Sequence, residues 1–458
     1  MNRRDFLKIF GMGTAATLAG CKSGKQEQMQ DDYKNQQEPP VGRMTMRTNP
    51  NTGDKVSLLG YGMMRLPLVE GADKETRKGG EEPSGVIDQQ QVNKLVDYAL
   101  EHGVNYFDTS PVYCEGHSEE ATGLALSRHP RNSYFVATKM SNFSPETWSL
   151  SASQQMFRES LQLLKVDYID YYLLHGIGMG GMEALEGRYT KNGVLDWLVE
   201  QKKAGKIRNL GFSYHGDIEV FDYLLQLHDE GRYHWDFVQI ELNYLDWHYA
   251  DEINERNTDA EYLYTELTKR GIPSVIMEPL LGGRLANLPQ YLASRLKAKD
   301  HKRSVASWAF RYAGTPAKVL TVLSGMTYME HLRDNLLNYC PLEPLGKQDD
   351  ALLQQIAKEL VGLEQIPCND CKYCMPCPYG IDIPAIFVHY NKFVNEGTLP
   401  RDNESPEYHR LRRNYLISLS RTVDPERQPD HCVGCHQCEE HCPQGIHIAE
   451  MMQKIDNL

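Results

Sequence analysis

Between residues 43 and 340, short apolar runs alternate with amphipathic stretches, and this alternation restricts the possible folds more than any other feature of the chain. The runs at 57–61, 106–108, 134–139, 169–175, 210–213, 237–241, 274–278 and 321–323 read as strands. Stretches such as 90–102, 154–164 and 194–204 carry apolar residues at helical spacing, and Gly103, Gly205 and Gly271 stand as helix stop signals. Eight strand–helix units over about 280 residues match a closed (β/α)8 barrel in number and length. A doubly wound sheet is the competing architecture, but no Gly-x-Gly-x-x-Gly follows an early strand. The polar stretch 70–85 reads as a loop inserted into this pattern.

In such a barrel, chemistry belongs to the rim at the C-terminal ends of the strands. Asp108 ends the second candidate strand, and Tyr113 follows it in a loop. Lys139 ends the third, His175 the fourth and Ser213 the fifth. A single histidine or lysine at a strand end is usually a satisfied or solvated residue. Four such groups on one rim have a joint chemical sense. A phenol with an ordinary pKa near ~10 is a poor acid unless a neighbouring cation favours its phenolate. Lys139 is placed to supply that charge, Asp108 to hold the lysine, and His175 to orient a carbonyl oxygen. This is equipment for moving a proton to or from a carbonyl or alcohol oxygen. No metal-ligand set is visible in the barrel, so the hydride is expected from an organic cofactor.

These residues carry a family resemblance. The run Phe-Asp-Thr-Ser-Pro-Val-Tyr at 107–113 is followed by Gly116, Ser118 and Glu119. Lys139, the stretch from Asp167 to His175, Gly205 to Ser213, Gln239 to Asn243, Glu278 to Gly283 and Ser324 to Met326 continue the pattern. Residues 43–340 resemble an aldo/keto reductase. The resemblance implies a catalytic tetrad of Asp108, Tyr113, Lys139 and His175, with Tyr113 as general acid/base. It also implies nicotinamide contacts from Ser213 and Gln239. Dinucleotide contacts are implied for Leu280, Gly282, Gly283, Arg284, Ser324, Gly325, Met326, Asp334 and Asn335. Four residues before Asn335, where many members of the family place an arginine for a 2′-phosphate, this chain has His331. A histidine is a weaker, pH-dependent phosphate partner, so the choice between NADP and NAD stays open.

Eight of the eleven cysteines fall between Cys368 and Cys442. Cys368, Cys371, Cys374 and Cys377 are spaced by two residues each, with Pro378 following. Cys432, Cys435, Cys438 and Cys442, followed by Pro443, have the two, two and three spacing of bacterial ferredoxins. The region resembles a two-cluster 4Fe-4S ferredoxin module, whose fourth ligands cross between clusters. This assigns Cys368, Cys371, Cys374 and Cys442 to one cluster and Cys432, Cys435, Cys438 and Cys377 to the other. Paired structural zinc sites are the alternative.

The N-terminus has Arg3 and Arg4 before Phe6, Leu7 and Lys8, then a mild apolar run ending in Leu18, Ala19, Gly20 and Cys21. This resembles a twin-arginine export signal joined to a lipobox, with Cys21 as the lipidated residue of a membrane-anchored protein facing the periplasm. The expected domains are therefore a signal at 1–21, a polar linker at 22–42, a reductase barrel at 43–345 and a small α-helical iron–sulfur domain at 346–458. A net charge of −13, with no basic stripe, argues against nucleic acid as a partner.

The expected activity is NAD(P)-linked interconversion of a small carbonyl and its alcohol, with two 4Fe-4S clusters and a possible redox partner protein. A non-catalytic electron-transfer or docking protein that keeps the barrel as a scaffold is the competing expectation. Nothing in the chain identifies the substrate.

Overall fold

The structure is a computed structural model that describes residues 37–69, 86–254 and 256–458. The export and lipidation motifs and the inserted stretch 70–85 lie outside the described residues.

The described residues form ten strands: β1 (Met46–Thr48), β2 (Lys55–Ser57), β3 (Leu59–Gly62), β4 (Tyr106–Asp108), β5 (Phe135–Met140), β6 (Ile169–Ile177), β7 (Ile207–Tyr214), β8 (Phe237–Glu241), β9 (Ser274–Met277) and β10 (Val319–Ser324). Strands β3 to β10 close into a barrel in chain order, each pair parallel. This is the (β/α)8 barrel expected from the alternation. The first strand candidate, 57–61, is corrected: it straddles two elements. Ser57 ends β2, which pairs antiparallel with β1 in a separate hairpin.

That hairpin closes the N-terminal end of the barrel. Val56 packs with Tyr106, Ala137, Tyr171, Phe237 and Val275 in the barrel interior. In the hairpin turn, Asn49 donates to the Tyr171 hydroxyl at 3.0 Å and to Asn209 Oδ1 at 3.1 Å. With that end sealed, the C-terminal rim is left for chemistry.

The helices read from periodicity form for local reasons. Asp88 caps the helix Gln89–Glu101, accepting from Gln91 N at 3.0 Å, and Gly103 leaves it at φ +88°. Ser149 caps Leu150–Leu164, and Phe157 on that helix is fully buried between Tyr172 and Trp197. Truncating such a residue to alanine costs about 3–5 kcal/mol.

The helix Lys347–Val361 packs Leu353, Ile356, Ala357 and Leu360 into the large core around the barrel. It therefore belongs physically to the barrel, although residues after 345 were expected to belong to the next domain. A second core, around Ile386, Phe387, Tyr390, Tyr415 and Met452, joins the helices Ile383–Asn395, Tyr408–Thr422 and Ile448–Asp456. Residues from Pro40 to Leu458 form one compact unit. Among the described residues no helix is long and apolar enough to cross a membrane.

Candidate active site

Asp108 is the last residue of β4, and its strand partner β5 carries Lys139. The Lys139 ammonium donates to Asp108 Oδ1 at 2.6 Å and to the Thr109 carbonyl at 2.8 Å, with both side chains out of contact with solvent. Burial disfavours both charges, raising the Asp108 carboxyl and lowering the Lys139 ammonium. Each charge opposes the other's shift.

Tyr113 opens the turn after β4, and the Lys139 ammonium lies 4.6 Å from the centre of its ring. The expectation that Lys139 would draw the phenol toward its phenolate is not met. Burial first, then Tyr373, Asp108 and Glu278, push Tyr113 well above the ordinary tyrosine range. The lysine charge is already matched by Asp108, so the phenol keeps its proton and is suited to donate it.

His175, on β6, meets Tyr113 edge to face with ring centres 5.9 Å apart. Ser141 lies 2.6 Å from its Nδ1 and Ser110 3.3 Å, and the two hydroxyls are 2.9 Å from each other. With Ser141 donating to Nδ1, the proton of the neutral ring stands on Nε2, which is directed to the Tyr373 hydroxyl at 3.4 Å. Burial, and then Lys139 and Arg188, hold the imidazole well below its ordinary pKa. Arg188 fixes the backbone here, donating to the His175 carbonyl at 2.5 Å, and Tyr189 beside it donates to the Met140 carbonyl at 2.9 Å.

The residues expected to hold a nicotinamide are adjacent. Ser213 and Gln239 are paired across β7 and β8. Ser213 Oγ accepts from Gly176 N at 2.9 Å, and Gln239 Nε2 lies 3.4 Å from Met277 Sδ. Gln239 Oε1 is buried without a hydrogen-bond partner. A carboxamide N–H is the group that this acceptor lacks, so this end of the site fits a nicotinamide.

The expected dinucleotide contacts divide into two sets. Ser324 accepts from Asn335 at 2.9 Å, Asp334 accepts from Ser304 at 2.6 Å, and Met326 offers its carbonyl to Tyr61 at 2.5 Å. Gly325 faces the Arg65 side chain and is itself exposed. In the second set, Gly282 and Gly283 follow Leu280 in left-handed conformations, and Gly282 N donates to Glu278 at 2.7 Å. Arg284 donates to Gln365 at 2.9 Å and is drawn to Asp246 and Cys368, while its Nε is buried without a hydrogen-bond partner.

The partner of this second set is the cysteine-rich module, which sits on the barrel rim. Arg65 holds its first loop, donating to the Asn369 carbonyl at 2.6 Å and pairing with Asp370 at 3.2 Å. A Cβ on Gly282 would lie 2.2 Å from the Asn369 carbonyl oxygen, so only glycine permits this approach. Gln444 donates to Glu241 at 3.1 Å. Beneath the module, burial and the Glu241 charge push Glu278 up to about 7.

Cys368, Cys371, Cys374 and Cys442 line one small cavity, with Ile383, Phe387, Ile446 and Ile448 as its apolar wall. The structure thus brings the fourth cysteine of the second run to the first three of the first run. Cys438 lies in the field of Cys377 and Cys435, and Cys432 packs at the edge of the module core. No cysteine among the described residues is in a disulfide. Nor do three His, Cys, Asp or Glu side chains among them converge as a single bound ion requires. Four thiols around a cavity, backed by apolar side chains, fit a larger body such as a 4Fe-4S cluster better than one zinc ion.

Sequence reasoning missed Ser110, Ser141, Arg188 and Tyr373. The two serines follow tetrad residues by two positions each, a signal that was present but has no distinctive chemistry. Tyr373 falls between Cys371 and Cys374, where the cysteine spacing alone accounts for the run.

Comparison with known proteins agrees with both halves of the chain. Residues 59–358 match the model of the aldo/keto reductase family, and residues 367–447 match a 4Fe-4S dicluster domain. L-galactose dehydrogenase of Arabidopsis thaliana is 27% identical over 327 residues, 68% of this chain and 92% of the plant protein. The NADH-specific methylglyoxal reductase of Escherichia coli is 26% identical over 316 residues, 62% of this chain and 92% of the bacterial protein. A solved aldo-keto reductase from Bacillus halodurans superposes with a TM-score of 0.52 at 23% identity, covering 71% of this chain and 99% of its own, which is a likeness of fold.

Proposed function

The chain belongs to the aldo/keto reductase family and is an oxidoreductase that also carries an iron–sulfur domain, and from that membership we propose that it reduces a small carbonyl compound with a nicotinamide nucleotide. A bound nicotinamide would supply the hydride, held by Ser213 and the unpartnered amide oxygen of Gln239. The chain's own residues handle the oxygen. His175 Nε2 orients the carbonyl by a hydrogen bond, and Tyr113 gives it a proton. The buried Lys139–Asp108 pair fixes the phenol's surroundings.

The single observation that carries this reading is the meeting of the Tyr113 phenol and the His175 imidazole at one point of the rim, ring centres 5.9 Å apart, where burial raises the pKa of the one and lowers that of the other. A scaffold used only for docking has no need of that pairing. For the nucleotide, an exposed His331 in place of a guanidinium removes the main argument for NADPH over NADH.

The proposal includes two 4Fe-4S clusters, one on Cys368, Cys371, Cys374 and Cys442 and one on Cys377, Cys432, Cys435 and Cys438. It also includes export of the loaded protein through the motif at Arg3 and Arg4, with lipid on Cys21. The deciding experiment is anaerobic turnover of the iron-loaded protein in the two directions, with NADH or NADPH and methylglyoxal, and with NAD+ or NADP+ and L-galactose. Nucleotide consumption that requires the carbonyl supports the reading. Bleaching of the clusters by nucleotide with no carbonyl-dependent turnover would replace it with an electron-transfer role.

A further inference from the structure

A carbonyl oxygen that takes a proton from Tyr113 and a hydrogen bond from His175 Nε2 must lie within reach of both. That place is already taken. The Tyr373 hydroxyl stands 3.4 Å from His175 Nε2 and lies close enough to the Tyr113 phenol to help raise its pKa. Its ring lies against Phe143 and His175, at centroid distances of 6.3 and 6.5 Å. Two oxygens cannot occupy one subsite, so a substrate and this phenol exclude each other.

Tyr373 is brought there by the iron–sulfur module. It lies between Cys371 and Cys374, which line the cavity shared with Cys368 and Cys442. The loop is forced into its path: Asp370 and Lys372, on either side of Cys371, are both left-handed, at φ +54° and +66°. Arg65 grips the loop at Asn369 and Asp370, and Gly282 gives it room by having no side chain. Ligation of Cys368, Cys371 and Cys374 to one body would hold this conformation and keep the phenol in the barrel.

We propose that Tyr373 is a gate, occupying the carbonyl-oxygen subsite between Tyr113 and His175, and that substrate enters only when the loop at 369–374 draws back. The iron–sulfur module is then the lid of the barrel. This rests on the reductase reading above, and its test includes a measurement that needs no turnover.

In full-length, iron-loaded protein, diethyl pyrocarbonate acylates neutral imidazoles, and labelling of His175 can be read by peptide mass. Tyr373→Ala should speed that labelling by about tenfold or more, with iron content and visible cluster absorption unchanged. The same variant should lower the KM for methylglyoxal by about tenfold at a similar kcat, as loss of a competing hydrogen-bonded occupant requires. Labelling at the wild-type rate, with clusters retained, would overturn the gate. If Tyr373→Ala loses iron, Tyr373→Phe keeps the ring and removes only the hydroxyl. Its KM should fall by about threefold or more, and an unchanged KM would overturn the proposal. Faster labelling of His175 in a protein that reduces no carbonyl would uphold the gate and remove the reductase reading instead.

Discussion

Lys139 and Asp108 face each other at 2.6 Å with both side chains sealed from solvent, each charge set directly against the other. Removing one leaves the other buried and uncompensated. Lys139→Met is expected to destabilise the protein by about 3–5 kcal/mol, and Asp108→Asn in the same chain should recover much of that loss. A double-mutant cycle by denaturant unfolding, read at the barrel tryptophans, measures the coupling. Additive losses would mean that the pair does not interact as described.

Tyr113→Phe removes the proton donor, which is also the hydroxyl facing Tyr373, while the ring stays packed against His175. Carbonyl-dependent turnover should fall by about 10²–10⁴, with the fold and the cluster absorption unchanged. Steady-state kinetics on the two purified proteins decide this.

The pH profile follows from two shifts of opposite sign. Tyr113 is raised, so its acid form persists above the ordinary tyrosine range, and His175 is lowered, so its neutral form persists below the ordinary histidine range. Between them the protonation states needed for carbonyl reduction do not change. The rate of the chemical step, from single-turnover measurements, should be flat through the region near ~6.5 where an unperturbed histidine titrates. An inflection there that disappears in His175→Gln would contradict the buried neutral imidazole.

Glu119 is buried, accepts from Thr138 at 2.5 Å, and is pushed up to about 7 by burial. A carboxyl raised in the folded state contributes stability that is complete below its unfolded pKa and lost as pH rises through its folded one. Wild-type stability should therefore fall by roughly 2 kcal/mol more than that of Glu119→Gln between pH ~5.5 and ~8, at about 1.4 kcal/mol per pKa unit. Thermal midpoints of the two proteins at one scan rate test this. Parallel curves would place Glu119 at an ordinary pKa.

Gly282 touches the Asn369 backbone where any side chain would collide, in a left-handed conformation that itself favours glycine. Gly282→Ala should push the cysteine module off the rim. Loss of iron to a chelator should then be faster by at least about fivefold, the equivalent of roughly 1 kcal/mol of docking. An unchanged rate would mean that the module holds its clusters without help from the barrel.

The parts of this molecule that could be read from its sequence are those whose physics is local. Strands β4 and β8 were legible as short apolar runs, and the helix ends because Gly103, Gly205 and Gly271 take the left-handed turns that stop a helix. The tetrad could be read because Asp108, Lys139 and His175 each mark the C-terminal part of a strand. The cysteines could be read because ligand spacing is a sequence property. Docking of the module was not legible. Arg65 and Asn369 are 304 residues apart, and no periodicity records their contact. Tyr373 was hidden for the same reason, since its neighbours Cys371 and Cys374 account for the run without it. The β1–β2 hairpin escaped because its strands, Met-Arg-Thr and Lys-Val-Ser, are largely polar and form no apolar run to count.

The central claim is that the barrel passes hydride from a nicotinamide to a carbonyl carbon while Tyr113 protonates the oxygen. It is tested most directly with nucleotide deuterated at the transferable position, given to the iron-loaded protein with methylglyoxal under anaerobic conditions. Mass and magnetic-resonance analysis should find the label on the carbinol carbon of the product and none in solvent, with the transfer lost in Tyr113→Phe. An alcohol product formed without the label would show that its electrons came by another route, and the account of this barrel would be wrong.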